Sequence, residues 1–210
     1  MINNEKKFIF VHIPKTAGSS VRYALRKHDE NRRAWILRKK EKLKKKYLGI
    51  EPPPTQLNGH STAQDIKNVL GQKYDDYFKF SFVRNPFDLE VSLYKYILKE
   101  TNVPEHEEVK NLSFAQFLEF RNRNNARSQY HFLFDSQRNC LVDFVGRFEN
   151  FSSDFDRIKS KIGISHKPVH KNKTNKIPYF EFYDEKSIEL VKTMFADDFL
   201  TFGYSTELGG

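Results

Sequence analysis

A chain of 210 residues supports one domain with a sizeable buried core, and its 20 Phe and 10 Tyr supply large apolar areas although only 38% of residues are apolar. A single cysteine, Cys140, excludes an internal disulfide framework and any multi-cysteine metal site, and a lone thiol of this kind reads as a small core residue. The formal net charge is +9, of which +6 falls in residues 38–46, so the rest of the chain is only mildly basic.

The apolar run Phe8-Ile9-Phe10-Val11-His12-Ile13 reads as a strand that stops at Pro14. A turn of Lys15-Thr16-Ala17-Gly18-Ser19-Ser20 follows, then a helix-compatible segment, Val21 to Arg26, completing a βα unit over roughly residues 7–29. Residues 33–48 are helix-compatible and strongly basic, and Glu51-Pro52-Pro53-Pro54-Thr55 is a stiff extended connector. Residues 33–56 therefore read as an insertion within a single domain spanning 1–210. A second unit starts at Leu57, with a helix from about Thr62 to Leu70, a strand at Phe78–Val83 and a helix at Pro86–Lys99. Residues 101–112 read as a loop, Ser113 caps a helix to about Arg121, Leu141–Phe148 is a third strand and Ser152–Ile162 a helix. Strands alternating with helices, and apolar on both sides, predict an α/β fold: a parallel sheet with helices on both faces.

Two segments carry phosphate chemistry. In the first, backbone N–H groups at the start of a helix lack intrahelical partners and point at any anion placed there. Lys15 adds a full charge, Gly18 permits close approach, and Thr16, Ser19 and Ser20 offer hydroxyls. The lysine precedes the only glycine by three residues, the reverse of the G-x-x-x-x-G-K-[ST] order, which argues against a Mg²⁺-dependent triphosphatase. The plainer alternative is a strand–turn–helix connection with no ligand. In the second segment, Arg84-Asn85-Pro86-Phe87-Asp88 follows the Phe78–Val83 strand, with Asn85 as N-cap, Pro86 at the first helical position and Asp88 as a capping-box acid. Arg84 and Ser92, about two turns into the helix, suit a phosphate monoester; the alternative is that Arg84 only pairs with Asp88 or Glu90.

Val-His-Ile-Pro-Lys-Thr-Ala-Gly-Ser-Ser resembles the 5′-phosphosulfate loop of sulfotransferases that use 3′-phosphoadenosine 5′-phosphosulfate (PAPS), and Phe-Ser-Phe-Val-Arg-Asn-Pro-Phe-Asp-Leu-Glu-Val-Ser-Leu-Tyr resembles their 3′-phosphate-binding strand and helix. Val142–Phe151 with Asp154-Phe155, and the ending from Tyr183-Asp184-Glu185 to Phe202-Gly203-Tyr204, are similar to later blocks of the carbohydrate enzymes, heparan 2-O-type and chondroitin-type, and their small bacterial relatives. The resemblance runs from about residue 8 to residue 204. It implies a P-loop-like sheet, transfer of a sulfuryl group to a hydroxyl acceptor such as a glycan or glycolipid, and no metal. It also implies that Lys15, Thr16, Ala17, Gly18, Ser19 and Ser20 hold the phosphosulfate while Arg84 and Ser92 hold the 3′-phosphate.

Sulfuryl transfer needs a base for the acceptor hydroxyl and positive charge for the departing phosphate oxygen. A near-neutral base favours histidine, and His60, in Asn58-Gly59-His60-Ser61, matches the Gly-His placement that carries the base in the heparan 2-O-type enzymes. Lys15 is the expected group for the second task. His12, within the first strand, is expected to be buried and hydrogen-bonded, and Arg147 with Glu149 reads equally well as an ion pair at a strand end, so neither is placed in the site.

No apolar run approaches the ~20 residues that span a bilayer, and no signal peptide is visible after Lys6 and Lys7. Golgi members of the resembled family carry an N-terminal anchor, whereas this chain starts at its first strand; the expectation is a soluble, cytoplasmic protein of bacterial or viral type. The basic 38–46 stretch reads either as a solvated helix face or as a landing site for an anionic partner, with nucleic acid disfavoured for want of a binding motif. The loop 170–176 reads as a surface loop or a cover over cofactor or acceptor. Two rival functions stand beside sulfuryl transfer: a P-loop small-molecule or nucleoside kinase, and a non-catalytic polyanion-binding protein.

Overall fold

The computed structural model describes residues 1–28, 57–164 and 177–209. The 38–46 stretch, the proline connector and the 170–176 loop lie outside the described residues. Four strands form one sheet in the order β1 (Ile2–Asn3), β2 (Phe8–Phe10), β3 (Phe78–Val83) and β4 (Phe144–Arg147). β2, β3 and β4 run parallel, as predicted, and β1 adds an antiparallel edge that the sequence does not announce.

The described α-helices, in chain order, are α1 (Gly18–Ala24), α2 (Ala63–Leu70), α3 (Pro86–Lys99), α4 (His106–Val109), α5 (Phe114–Arg123), α6 (Gln129–Leu133), α7 (Phe151–Lys161), α8 (Glu185–Met194) and α9 (Ala196–Phe202). Local chemistry sets several starts. Thr62 and Ser113 each close a capping box, and Asn85 accepts from the Phe87 N–H with Pro86 at the first helical position. Asp88 does not complete a box there; its carboxylate turns to Arg84 instead, and the Asn85 N–H is taken by Glu149.

Strand alternation divides the core. Phe8, Phe10, Phe80 and Phe82 pack with Val21 of α1 and Leu25 just after it, and with Phe151, Phe155 and Ile158 of α7. Ile9, Val11 and Val83 face the other way, against Ala63 and Ile66 of α2 and Phe132 and Leu133 of α6. A third cluster joins α3, α5, α8 and α9 through Phe87, Val91, Phe117, Val191, Phe195 and Phe199. Each fully buried ring of this size contributes about 1.5–3 kcal/mol.

Two strands are shorter than their apolar runs. β2 ends at Phe10 because the Ser81 hydroxyl donates to the Val11 carbonyl at 2.8 Å, replacing a ladder bond and freeing the chain to bend away before Pro14. β4 begins at Phe144 because the preceding residues have other partners: the Leu141 N–H reaches the Leu133 carbonyl and the Leu141 carbonyl accepts from the Tyr74 hydroxyl. Cys140 is exposed rather than in the core, since it pairs across an isolated bridge with Phe134 at the surface. Among the described residues, no helix is long and apolar enough to cross a membrane.

Candidate active site

The first phosphate-type segment folds as a tight loop between β2 and α1. Lys15 (φ 65°) and Ala17 (φ 74°) both take the left-handed backbone region, which disfavours residues with a Cβ by about 1–2 kcal/mol. The loop is held in that shape from two sides. The fully buried Thr16 hydroxyl donates to the Ile13 carbonyl at 2.9 Å, and Arg84 Nη1 donates to the Lys15 carbonyl at 3.0 Å. Thr16 thus commits its hydroxyl proton inside the loop, whereas Ser19 is exposed and Ser20 half-buried. The α1 start receives no side-chain cap. Lys15 Nζ sits 4.1 Å above the ring of Tyr96, a residue of α3 that the sequence reading did not single out.

Gly18 matters first for what it lacks. A Cβ built there would lie 1.6 Å from His12 Nε2, so the imidazole occupies the space that any other residue would fill. The His12 ring is stacked on Phe10 at 5.6 Å and tilted against His60 at 4.6 Å between centroids, which leaves it little room to yield. Gly18→Ala is therefore expected to destabilise the fold by about 1–3 kcal/mol, as overpacking does. A thermal melt checks this, and His12→Ala should recover most of the loss in the double variant; an unchanged melting temperature in Gly18→Ala alone refutes the clash.

His60 lies in an exposed turn before α2, not at a strand end. Its N–H bonds to Asn58 Oδ1 at 2.7 Å, and its ring Nδ1 is 3.2 Å from the His12 carbonyl. A carbonyl only accepts, so that contact places the neutral ring's proton on Nδ1 and the lone pair on Nε2. Burial pushes the His12 imidazole down to about 3, with His60 and Arg22 as further positive neighbours and the Gly59 backbone pulling weakly the other way. His12 stays neutral; its ring is hydrogen-bonded to the Gly59 backbone, as expected, while its buried Nδ1 has no hydrogen-bond partner among the described residues.

Arg84 stands at the end of β3, 7% exposed. Its Nε and Nη2 both reach Asp88 Oδ2 at 2.7 Å, Nη1 reaches the Lys15 carbonyl, and the guanidinium lies 4.0 Å over the Phe148 ring. The Asp88 pairing raised as an alternative does form, and Glu90 belongs to another pair, accepting two bonds from Arg121 at 2.9 and 3.0 Å. Among the described residues three of the five guanidinium donors are engaged, leaving two. Ser92, half-buried, follows Asp88 by one turn along α3.

Later segments of the chain brace this junction. The Gln129 side chain bonds both backbone groups of Arg84, and Glu149 accepts from the Asn85 N–H at 2.8 Å and from the Tyr204 hydroxyl at 3.0 Å. Arg147 does not pair with Glu149; its guanidinium instead meets the Phe202 and Gly203 carbonyls and the Tyr204 ring. The structure thus joins Lys15, Arg84 and the Ser92 helix directly, and links His60 to the loop through His12 and Gly18. Gln129, Glu149, Tyr96 and Phe148 carry no local sequence signal for these roles.

Comparison with known proteins gives this geometry a place. The model of the sulfotransferase family matches residues 1–205. An uncharacterized protein of Archaeoglobus fulgidus is 33% identical over 102 residues, 47% of this chain and 79% of that protein. The fold is similar to that of mouse sulfotransferase SULT7A1, solved as a complex with PAP: the TM-score is 0.58 at 15% identity, covering 95% of this chain and 86% of the other. With a family match over nearly its whole length, the chain belongs to the sulfotransferase family.

Proposed function

We propose that this sulfotransferase takes its sulfuryl group from PAPS and transfers it to a hydroxyl of a carbohydrate, with residues 1–210 acting as one catalytic domain. The observation that carries the reading is the Arg84–Lys15 contact, which makes one structure of the two phosphate-type segments. The donor set fits a ligand with two separate phosphates. On this reading Lys15, Ser19, Ser20 and the backbone of Thr16, Ala17 and Gly18 would hold one, and the remaining Arg84 donors with Ser92 would hold the other. The PAP bound by the mouse enzyme of similar fold, and the likeness of the later sequence blocks to carbohydrate enzymes, support the donor and acceptor respectively.

PAPS supplies a sulfuryl group already activated by its bond to phosphate. His60 Nε2 takes the proton of the acceptor hydroxyl as the oxygen–sulfur bond forms. The bond from sulfur to the bridging phosphate oxygen breaks, its electron pair stays on that oxygen, and the Lys15 ammonium meets the charge there. Arg84 keeps Asp88 as a fixed counter-charge, so the guanidinium is aimed before any ligand arrives.

Thermal stabilisation by adenosine 3′,5′-bisphosphate (PAP), compared with AMP and ATP, tests the donor assignment. PAP is expected to stabilise selectively, and Arg84→Ala to erase the advantage over AMP. Equal stabilisation of the unaltered protein by AMP sinks the 3′-phosphate assignment.

A further inference from the structure

Arg84 lies where β3 has run past the end of β2, so its own N–H and C=O have no strand to pair with on that side. The Gln129 side chain takes both: the Arg84 N–H donates to Gln129 Oε1 at 2.8 Å, and Gln129 Nε2 donates to the Arg84 carbonyl at 2.8 Å. A primary amide carries the same donor and acceptor as a peptide unit, so one side chain completes the ladder for one residue. Only one orientation of the amide satisfies both bonds.

Gln129 is itself fixed. It is 1% exposed, and its N–H donates to Asp198 Oδ2 at 2.9 Å while the next N–H, of Tyr130, donates to Asp198 Oδ1 at 2.7 Å. The fully buried Asp198 carboxylate of α9 thereby anchors the start of α6. A continuous buried chain of hydrogen bonds runs from Asp198 through Gln129 to the Arg84 backbone, and on from the Arg84 guanidinium to the Lys15 carbonyl. We infer that Gln129 is a positioning residue for donor recognition: it sets the backbone of Arg84, and through Arg84 both the 3′-phosphate donors and the shape of the lysine loop. This rests on the reading of Arg84 as a 3′-phosphate ligand.

The test is the ratio of AMP to PAP dissociation constants, measured by calorimetry on Gln129→Met, Arg84→Ala and the double variant. Methionine has nearly the volume of glutamine and neither hydrogen bond. Loss of hydrogen bonds that aim a charged group is worth about tenfold in binding. Gln129→Met is therefore expected to lower the PAP preference by about that factor, and to add little once Arg84 is alanine. A merely structural role would lower the melting temperature and leave the ratio alone. An unchanged ratio in folded Gln129→Met, with Arg84→Ala losing selectivity, overturns the inference while sparing the Arg84 assignment. Full selectivity in Arg84→Ala overturns that assignment and the inference with it. If Gln129→Met does not fold, Gln129→Asn takes the same test, since its amide falls one methylene short of the Arg84 backbone and adds no charge beside Asp198; an unchanged ratio there also overturns the inference.

Discussion

Lys15→Ala is expected to lower turnover at saturating PAPS by about 10²–10³-fold, with a smaller loss of PAP affinity. The asymmetry follows from where the charge is needed. In the proposed arrangement the ammonium is one of several groups that would hold the 5′ end of the donor in the ground state, alongside backbone N–H groups and the Ser19 and Ser20 hydroxyls. As the bond to sulfur breaks, negative charge grows on the bridging oxygen, and a mobile full charge follows it better than fixed dipoles do. The resting place of Nζ, 4.1 Å over Tyr96, suits this role. A cation–π contact at a partly exposed ring is worth about 0.5–1 kcal/mol, weak enough to be given up when an anion arrives. Steady-state turnover together with calorimetric PAP binding separates the two effects. A variant that binds PAP weakly yet turns over at the normal maximal rate would falsify the catalytic role.

His60→Ala is expected to reduce turnover by about 10²–10⁴-fold while leaving PAP binding within about a factor of two. Three features support the role proposed for the ring: it is exposed, its Nδ1 is committed to the His12 carbonyl, and the neighbouring imidazole stays neutral. Its ring reaches the donor loop through His12, which is also stacked on Phe10, so removing it should leave the loop largely in place. Near-normal turnover in His60→Ala refutes the assignment, and an equal loss of PAP binding would show that the residue acts on the loop instead.

Where a segment's structure is decided locally, the sequence was legible. β3 and α3 fall on their predicted bounds because an apolar run meets Asn85-Pro86, and the starts of α2 and α5 follow from Thr62 and Ser113 with their capping partners. The loop and Arg84 were legible as motifs for the same reason. What escaped depends on partners far along the chain. The Val11 carbonyl is claimed by Ser81, 70 residues on, which shortens β2. Arg84 is aligned by Gln129, 45 residues on, and Gln129 by Asp198, 69 further. The five-residue α6 has too few residues to show a helical period, and its start depends on a carboxylate from the last helix. Gly18 was read for its freedom of approach, but the positive dihedral angles sit at Lys15 and Ala17, and the absent Cβ serves the His12 ring.

The left-handed backbone of Lys15 sets stability against activity at a single residue. A glycine or asparagine there would relax the dihedral strain, and a selection for thermal robustness alone would favour that change. It would also delete the ammonium. With the role proposed for Lys15, the loop is a place where a more durable protein would be a poorer enzyme. Attempts to harden this scaffold belong in the phenylalanine-rich face of the sheet, away from the turn between Pro14 and Gly18.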